Sequence, residues 1–180
     1  AQGYRVARSW EKAGALPSGK TLVVAAPGNL PPPSKRGDVF RQAAVKALDT
    51  LSRNPNGFFL MIEGSNIDKA AHSNNLEEMM EELLDFDRTA GAVLDWASKH
   101  PGTLVVITAD HNTGAFALTG GSREQGEITG RFGSGSHDGV AVPVYAFGAG
   151  SGDFTGIYEN TDIFNKIMNA LTKGADKPVR

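Results

Sequence analysis

The sequence contains no cysteine, and neither sign of charge is in marked excess. Lysine and arginine number 18 against 20 aspartates and glutamates, which gives a formal net charge of −2. Without cysteine there can be no disulfide and no thiolate metal site, so any metal ligands must be histidine, aspartate or glutamate. The near-balance of charge gives no reason to expect a nucleic-acid partner. No run of about 18 apolar residues occurs either, so we predict no membrane span.

The length and the pattern of apolar residues predict one α/β domain. A chain of 180 residues, 40% of them hydrophobic, is long enough to bury a real core. Short apolar runs alternate with stretches of helical spacing, which favours a layered, mostly parallel sheet flanked by helices. The predicted strands are 4–7, 21–26, 58–62, 103–109 and 140–147, with a short one at 154–158. The predicted helices are 38–53, 75–99 and 160 to about 171, and residues 119–139 are predicted to be a long loop.

One short segment joins an apolar run to acidic and imidazole groups. Residues 58–62 lie between two glycines and predict a buried strand, which ends at Glu63. In α/β sheets, ligands gather beyond the carboxyl ends of the strands. Asp68 and His72 follow with i, i+4 spacing, which places both side chains on one face of a helix. A carboxylate and an imidazole held in this way form half of a zinc site.

A second apolar run also leads directly into candidate ligands. Residues 103–109 predict a buried strand, and Asp110 and His111 follow at once. Adjacent residues on a strand point to opposite faces, so both could bind one metal only if the backbone leaves strand geometry there. Residues 112–114, Asn-Thr-Gly, are suited to such a turn.

A further imidazole, that of His137, lies in a segment rich in glycine and serine that we predict to be a flexible loop. Its neighbour Asp138 could be a ligand instead, or merely a turn residue. Ser134 and Ser136 lie close by, but we assign neither as a nucleophile, because the segment offers no strand-to-helix elbow and no orienting third group.

Two other groups of polar residues have simpler interpretations. The acidic run on the long helix predicts a solvated face and not a metal site; its members are Glu77, Glu78, Glu81 and Glu82. His100 stands at the end of that helix, where an imidazole complements the helix dipole.

Three of these segments together resemble the alkaline phosphatases. They are Gly-Phe-Phe-Leu-Met-Ile-Glu-Gly-Ser-Asn-Ile-Asp-Lys-Ala-Ala-His, the run Thr-Leu-Val-Val-Ile-Thr-Ala-Asp-His, and the later Ser-His. Their order and spacing match that family over nearly the whole chain. The resemblance implies two Zn²⁺ and one Mg²⁺. It implies these ligands and contacts: Asp68, His72 and His137 on the first zinc, Asp110 and His111 on the second, Glu63 at the magnesium, and Lys69 near the phosphate.

The resemblance also implies a reaction and exposes a gap. In this family a serine that follows an aspartate attacks a phosphate monoester and forms a phosphoserine, and no Asp-Ser pair occurs in this sequence. We therefore expect residues 1–180 to be the carboxy-terminal part of a single alkaline phosphatase-like domain, inactive without an amino-terminal half. A periplasmic or secreted location and a homodimer are further implications of the resemblance.

Two alternatives remain open at this point. A relative that hydrolyses diesters, phosphonates or sulfates would use similar zinc ligands, although the match around Ile67-Asp68-Lys69 favours the monoesterase. A metal-binding or interaction module without catalysis would bind zinc and fold but would show no turnover.

Overall fold

The computed structural model describes residues 3–13 and 19–175. The chain divides into two compact units, one formed by Ala1–Ala70 with Leu76–Thr89 and the other by Ala71–Asn75 with Ala90–Arg180. None of the helices among the described residues combines the length and hydropathy that a membrane span requires.

The first unit begins with a small parallel strand pair and continues with helices. Its elements are β1 (Arg5–Ala7), α1 (Trp10–Ala13), β2 (Thr21–Val23), α2 (Pro33–Arg36) and α3 (Val39–Leu51), and β1 pairs with β2. Helix α3 confirms the helix predicted over 38–53. Its apolar spacing buries Ala44 and Leu48 and brings the Phe40 ring within 6.4 Å of the Phe86 ring.

A buried ionic cluster holds this unit together. The Arg36 guanidinium bonds to both carboxylate oxygens of Glu82, at 2.8 and 2.7 Å, and to Asp85 at 2.6 Å. All three side chains are about 95% removed from solvent. The prediction that Glu82 lies on a solvated face was therefore wrong, because a cation 46 residues away in the sequence neutralises it inside the unit.

Two helices carry the chain from the first unit into the second. They are α4 (Asn66–His72) and α5 (Leu76–Ser98), and α5 confirms the long amphipathic helix predicted over 75–99. Asn74, between them, has a φ of 51°. This left-handed conformation is one that asparagine tolerates better than most residues, and it turns the chain sharply from one helix to the next.

The second unit is built from short antiparallel ladders. Strand β3 (Leu104–Thr108) pairs with β8 (Val144–Gly148), β4 (Asn112–Thr113) with β7 (His137–Asp138), and β5 (Ala117–Ser122) with β6 (Glu127–Arg131). A 3-10 helix (Ser151–Phe154) and α6 (Asp162–Ala175) complete the unit, and Phe154 is buried between its neighbours.

The segment 119–139 is not the long loop that its composition predicted. It contains most of the β5–β6 hairpin and all of β7, and the Phe116 and Phe132 rings face each other at 4.9 Å across the base of that hairpin. The glycines that suggested a loop allow close approach instead, since a Cβ at Gly121 would meet the backbone of Glu127 and one at Gly130 the Phe116 ring.

Other strand predictions also need correction. Residues 58–62 form no strand; Phe59 is 63% and Met61 75% exposed. Strand β2 forms as predicted but is exposed, and β8 starts only at Val144. No strand forms at 154–158; the 3-10 helix ends at Phe154, and residues 155–158 are irregular. Burial of a strand depends on its neighbours, which its own sequence does not specify.

Candidate metal centre

Helix α4 places two candidate ligands one turn apart, as their spacing predicted. It follows Gly64, whose carbonyl accepts a hydrogen bond from the Ile67 N–H at 3.2 Å. A side chain at Gly64 would come within 2.8 Å of the Phe86 ring, so the glycine allows the chain to pass close to α5 before α4 begins. From there the helix carries the half-buried Asp68 and the exposed His72 on one face.

The His72 ring is oriented by a backbone carbonyl. Its Nδ1 atom lies 2.7 Å from the Gly135 oxygen. Because a carbonyl oxygen can only accept, we assign the ring hydrogen to Nδ1, and the lone pair then lies on Nε2. That Nε2 atom is 3.0 Å from Nε2 of His137. Metal-ligating histidines are typically held in this way, with one nitrogen donating to a carbonyl and the other directed at the metal.

Together with Asp68, these histidines form a compact group of donors. One ligand atom from each of Asp68, His72 and His137 lies within 4.8 Å of the other two. Oxygen and imidazole nitrogen are the donors that zinc accepts when no thiolate is available. The donor set therefore fits a zinc ion.

His137 is held in place by the backbone and does not lie in the flexible loop that we predicted. It pairs with Thr113 in the β4–β7 ladder, and the Gly114 N–H donates to the Ser136 carbonyl at 2.9 Å. The Gly114 carbonyl in turn accepts from the N–H groups of residues 133 and 134, at 2.9 and 3.1 Å. Gly114 has a φ of 82°, and a Cβ there would meet the Phe132 ring at 2.8 Å, so this junction requires glycine.

Asp110 and His111 lie between two strands, where the chain leaves strand geometry. The two residues could bind one metal only under this condition. Strand β3 ends at Thr108 and β4 begins at Asn112. The Asp110 carboxylate is 3.1 Å from Nε2 of His111, and Nδ1 of His111 is 3.2 Å from the Thr113 hydroxyl. The His111 ring stacks on the His137 ring with centroids 3.6 Å apart. The structure thus brings His111 beside His137 and Asp110 beside His111, although neither Asp110 nor His111 is part of the three-residue group.

Asp138 is a turn residue whose carboxylate connects neighbouring segments of the chain. Its two oxygens accept from the Asn112 amide at 3.1 and 2.9 Å, from the Ala115 N–H at 3.0 Å and from the Val140 N–H at 3.1 Å. The Val140 and Asn112 hydrogen bonds hold the pKa of this carboxyl below its usual value. The sequence offered a turn role for Asp138 as one of two alternatives, but it did not predict these hydrogen-bond partners.

Glu63 and Lys69 belong to the first unit and lie outside the three-residue group. Glu63 is exposed. The Lys69 ammonium donates to the side-chain oxygens of Asn29 at 2.6 Å and Asn66 at 3.3 Å. These hydrogen bonds orient the lysine side chain, but they do not identify a molecule that it binds. Asn29 sits in a proline-rich loop, and nothing in the sequence pattern predicted its contact with Lys69.

The order of elements and this geometry define an α/β protein with a candidate histidine–aspartate metal centre. The family model for alkaline phosphatase matches residues 29–130, which is more than half of the chain. The chain is 31% identical over 164 residues to alkaline phosphatase H of Pseudomonas aeruginosa, covering 77% of this chain and 33% of that protein. It is 32% identical over 146 residues to the alkaline phosphatase of Escherichia coli, covering 72% and 31%.

Solved structures agree with these relatives. The alkaline phosphatase from the Antarctic bacterium TAB5 superposes with a TM-score of 0.80 at 33% identity, covering 95% of this chain and 52% of that one. The cold-active enzyme from a psychrophilic Shewanella species gives a TM-score of 0.86 at 25% identity, covering 94% and 60%. The chain belongs to the alkaline phosphatase family and has an alkaline phosphatase-like fold. It spans about a third of the two curated relatives and about half of the TAB5 enzyme.

Proposed function

We propose that this chain carries the metal ligands of a phosphate monoester hydrolase of the alkaline phosphatase type. Asp68, His72 and His137 would hold the first zinc. The observation that carries the proposal is the contact of His72 Nδ1 with the Gly135 carbonyl at 2.7 Å, which leaves Nε2 facing His137, one of the other two donors.

The remaining predicted residues would complete the centre. Asp110 and His111 would contribute to a second zinc, supported by the stacking of His111 on His137. Glu63 would contribute to a magnesium site; a variant of the TAB5 enzyme has Mg bound in its M3 site. Lys69, directed by Asn29 and Asn66, would contact the phosphate. Metal ions in such a centre supply Lewis-acid stabilisation of the charge that develops on phosphate oxygens.

The chain's own residues would hold and orient the groups around the phosphate, while the attacking serine would come from an amino-terminal half. That half would also supply the neighbouring strands of a layered, mostly parallel sheet, in which residues 1–180 form the carboxy-terminal part of one domain. We propose a periplasmic or secreted location and a homodimeric enzyme on the basis of family membership.

Zinc titration of the chain tests the metal centre directly. After removal of metals with a chelator, isothermal titration calorimetry should show zinc binding that His72→Ala or His137→Ala weakens by more than about 100-fold, since changes to the surroundings of a ligand alone cost 10–100-fold. His100→Ala is the matched control, because His100 stacks on Trp96 with ring centroids 3.6 Å apart and takes no part in the centre. Equal affinity in His72→Ala and His100→Ala would overturn the proposed ligand set.

Activity is tested in the longer protein that also contains the serine. It should hydrolyse p-nitrophenyl phosphate much faster than bis-p-nitrophenyl phosphate, and His72→Ala should abolish the reaction. A preference for the diester would replace the monoesterase by a related hydrolase. Zinc binding with no turnover of either substrate would indicate a module without catalysis.

A further inference from the structure

The carboxylate of Asp138 accepts hydrogen bonds from residues 112, 115 and 140, which flank the stacked imidazoles of His111 and His137 in the sequence. In sequence it follows His137, and across the β4–β7 ladder it pairs with Asn112, the residue after His111. We propose that Asp138 is a positioning residue, which fixes His137 and His111 for metal binding without being a ligand itself. This inference rests on the metal centre proposed above.

The ladder that joins these segments is too short to be rigid on its own. Strands β4 and β7 share only two residue pairs, and isolated two-stranded pieces are marginally stable. The hydrogen bonds from the Asn112 amide to both Asp138 oxygens, at 3.1 and 2.9 Å, add a side-chain link across the same pair of residues. Hydrogen bonds to an ionised carboxylate are stronger than those between neutral groups. The charge of Asp138 therefore stabilises the register that places His137 opposite Thr113.

Asp138 also fixes the turn that follows β4. Its Oδ2 atom accepts from the Ala115 N–H at 3.0 Å, and Ala115 has a φ of 47°, a left-handed conformation that is unfavourable for a residue with a side chain. The preceding residue, Gly114, forms backbone hydrogen bonds with residues 133, 134 and 136 of the loop that leads to His137. The same carboxylate thus supports both ends of the connection between the imidazoles.

A role for Asp138 as a ligand is disfavoured by its existing partners. An ionised carboxylate has about four lone-pair positions, and each Asp138 oxygen already accepts two hydrogen bonds. Binding a metal would leave the Asn112 amide or the Ala115 or Val140 N–H without its acceptor. Positioning requires no such loss.

The test compares Asp138→Asn with Asp95→Asn, an exposed aspartate on α5 outside the centre. The first readout needs no metal: the ring-proton chemical shifts of His111 and His137, which report their stacking at 3.6 Å. Asp138→Asn should change both sets of shifts, because its amide would face the Asn112 amide, and should weaken zinc binding by about 10–100-fold. The reversed pair, Asp138→Asn with Asn112→Asp, should partly restore the ring-proton shifts and the zinc affinity. Asp95→Asn should change neither the shifts nor the affinity.

Each outcome decides the proposal. Unchanged ring shifts and zinc affinity in Asp138→Asn would overturn it, and loss of zinc binding with unchanged ring shifts would make Asp138 a ligand instead. If the wild-type chain binds no zinc, the proposed function fails, but the ring shifts still decide whether Asp138 positions the imidazoles. If circular dichroism shows that Asp138→Asn does not fold, Asn112→Ala, which keeps the carboxylate and its backbone bonds, takes its place with the same expected changes in ring shifts.

Discussion

Nε2 of His72 lies 3.0 Å from Nε2 of His137, although 65 residues separate them in the sequence. Because the lone pair of His72 is on Nε2, the hydrogen between the two atoms belongs to His137 in the metal-free protein. Zinc binding would require that hydrogen to move to Nδ1 of His137. If the two rings bind one zinc ion, as proposed, their separation needs little change, and the tautomer of His137 is what would have to change.

We expect the two histidines to act as one unit in metal binding. In a double-mutant cycle, His72→Ala and His137→Ala should each weaken zinc binding strongly, and the double variant should be little weaker than either single variant. Calorimetric zinc affinities measure the coupling. Additive losses of binding free energy would contradict this coupling.

The buried cluster around Arg36 should dominate the stability of the first unit. Arg36→Ala leaves the carboxylates of Glu82 and Asp85 buried without their cation, and we expect a loss of about 3–5 kcal/mol in the free energy of unfolding. Urea denaturation followed by circular dichroism measures it. Arg88→Ala is the control: its side chain is 59% exposed and 3.4 Å from Asp85, so its loss should stay below about 1 kcal/mol. Similar losses for the two variants would contradict this interpretation.

Gly114 should be irreplaceable in the second unit. Gly114→Ala combines a left-handed backbone with a Cβ 2.8 Å from the Phe132 ring and 3.1 Å from the Ala71 carbonyl, and we expect destabilisation by about 2–4 kcal/mol. Gly139→Ala, where a Cβ meets nothing within 4 Å, should change stability by less than about 1 kcal/mol. Thermal unfolding of the two variants measures the difference. A neutral Gly114→Ala would show that the loop before His137 can move away freely.

The exposed apolar side chains of residues 58–62 should make the isolated chain associate. Phe59 and Met61 are 63% and 75% exposed on a segment that forms no strand. Exposed apolar segments of this kind promote pairing between chains. Replacing both by serine should lower the concentration-dependent mass in light scattering after size exclusion, whereas Ile157→Ser, at a fully exposed single site, should not. A wild-type chain that stays monomeric at high concentration would refute the expectation.

Local spacing predicted two long helices and the placement of Asp68 beside His72 in the candidate centre. Helices α3 and α5 follow from apolar residues three and four apart, and the same periodicity places Asp68 beside His72. What the sequence could not predict depends on residues far apart in the chain. The burial of Glu82 requires Arg36, and the placement of His137 requires Gly114 and Asp138.

The strand predictions failed for a different physical reason. An apolar run such as residues 58–62 is suited to burial, but whether it is buried depends on which strands lie beside it. In the structure residues 58–62 form no strand. In residues 119–139 the glycines favoured a loop on composition, whereas their actual effect is to let β5 and β6 approach each other closely. Whether a glycine ends a strand or allows another strand to approach it closely cannot be decided without knowing the partner strand.

The β5–β6 hairpin leaves the centre after Phe116 and returns at Phe132, where the two rings meet at 4.9 Å. Everything beyond that ring pair can change in length without altering how His111 and His137 are joined. Doubling the length of a flexible loop costs only about 0.6 kcal/mol in closure entropy. The tip between Ser122 and Glu127 is thus a natural insertion point, where evolution could add a recognition element, or an engineer a fluorescent reporter, independently of the chemistry at its base.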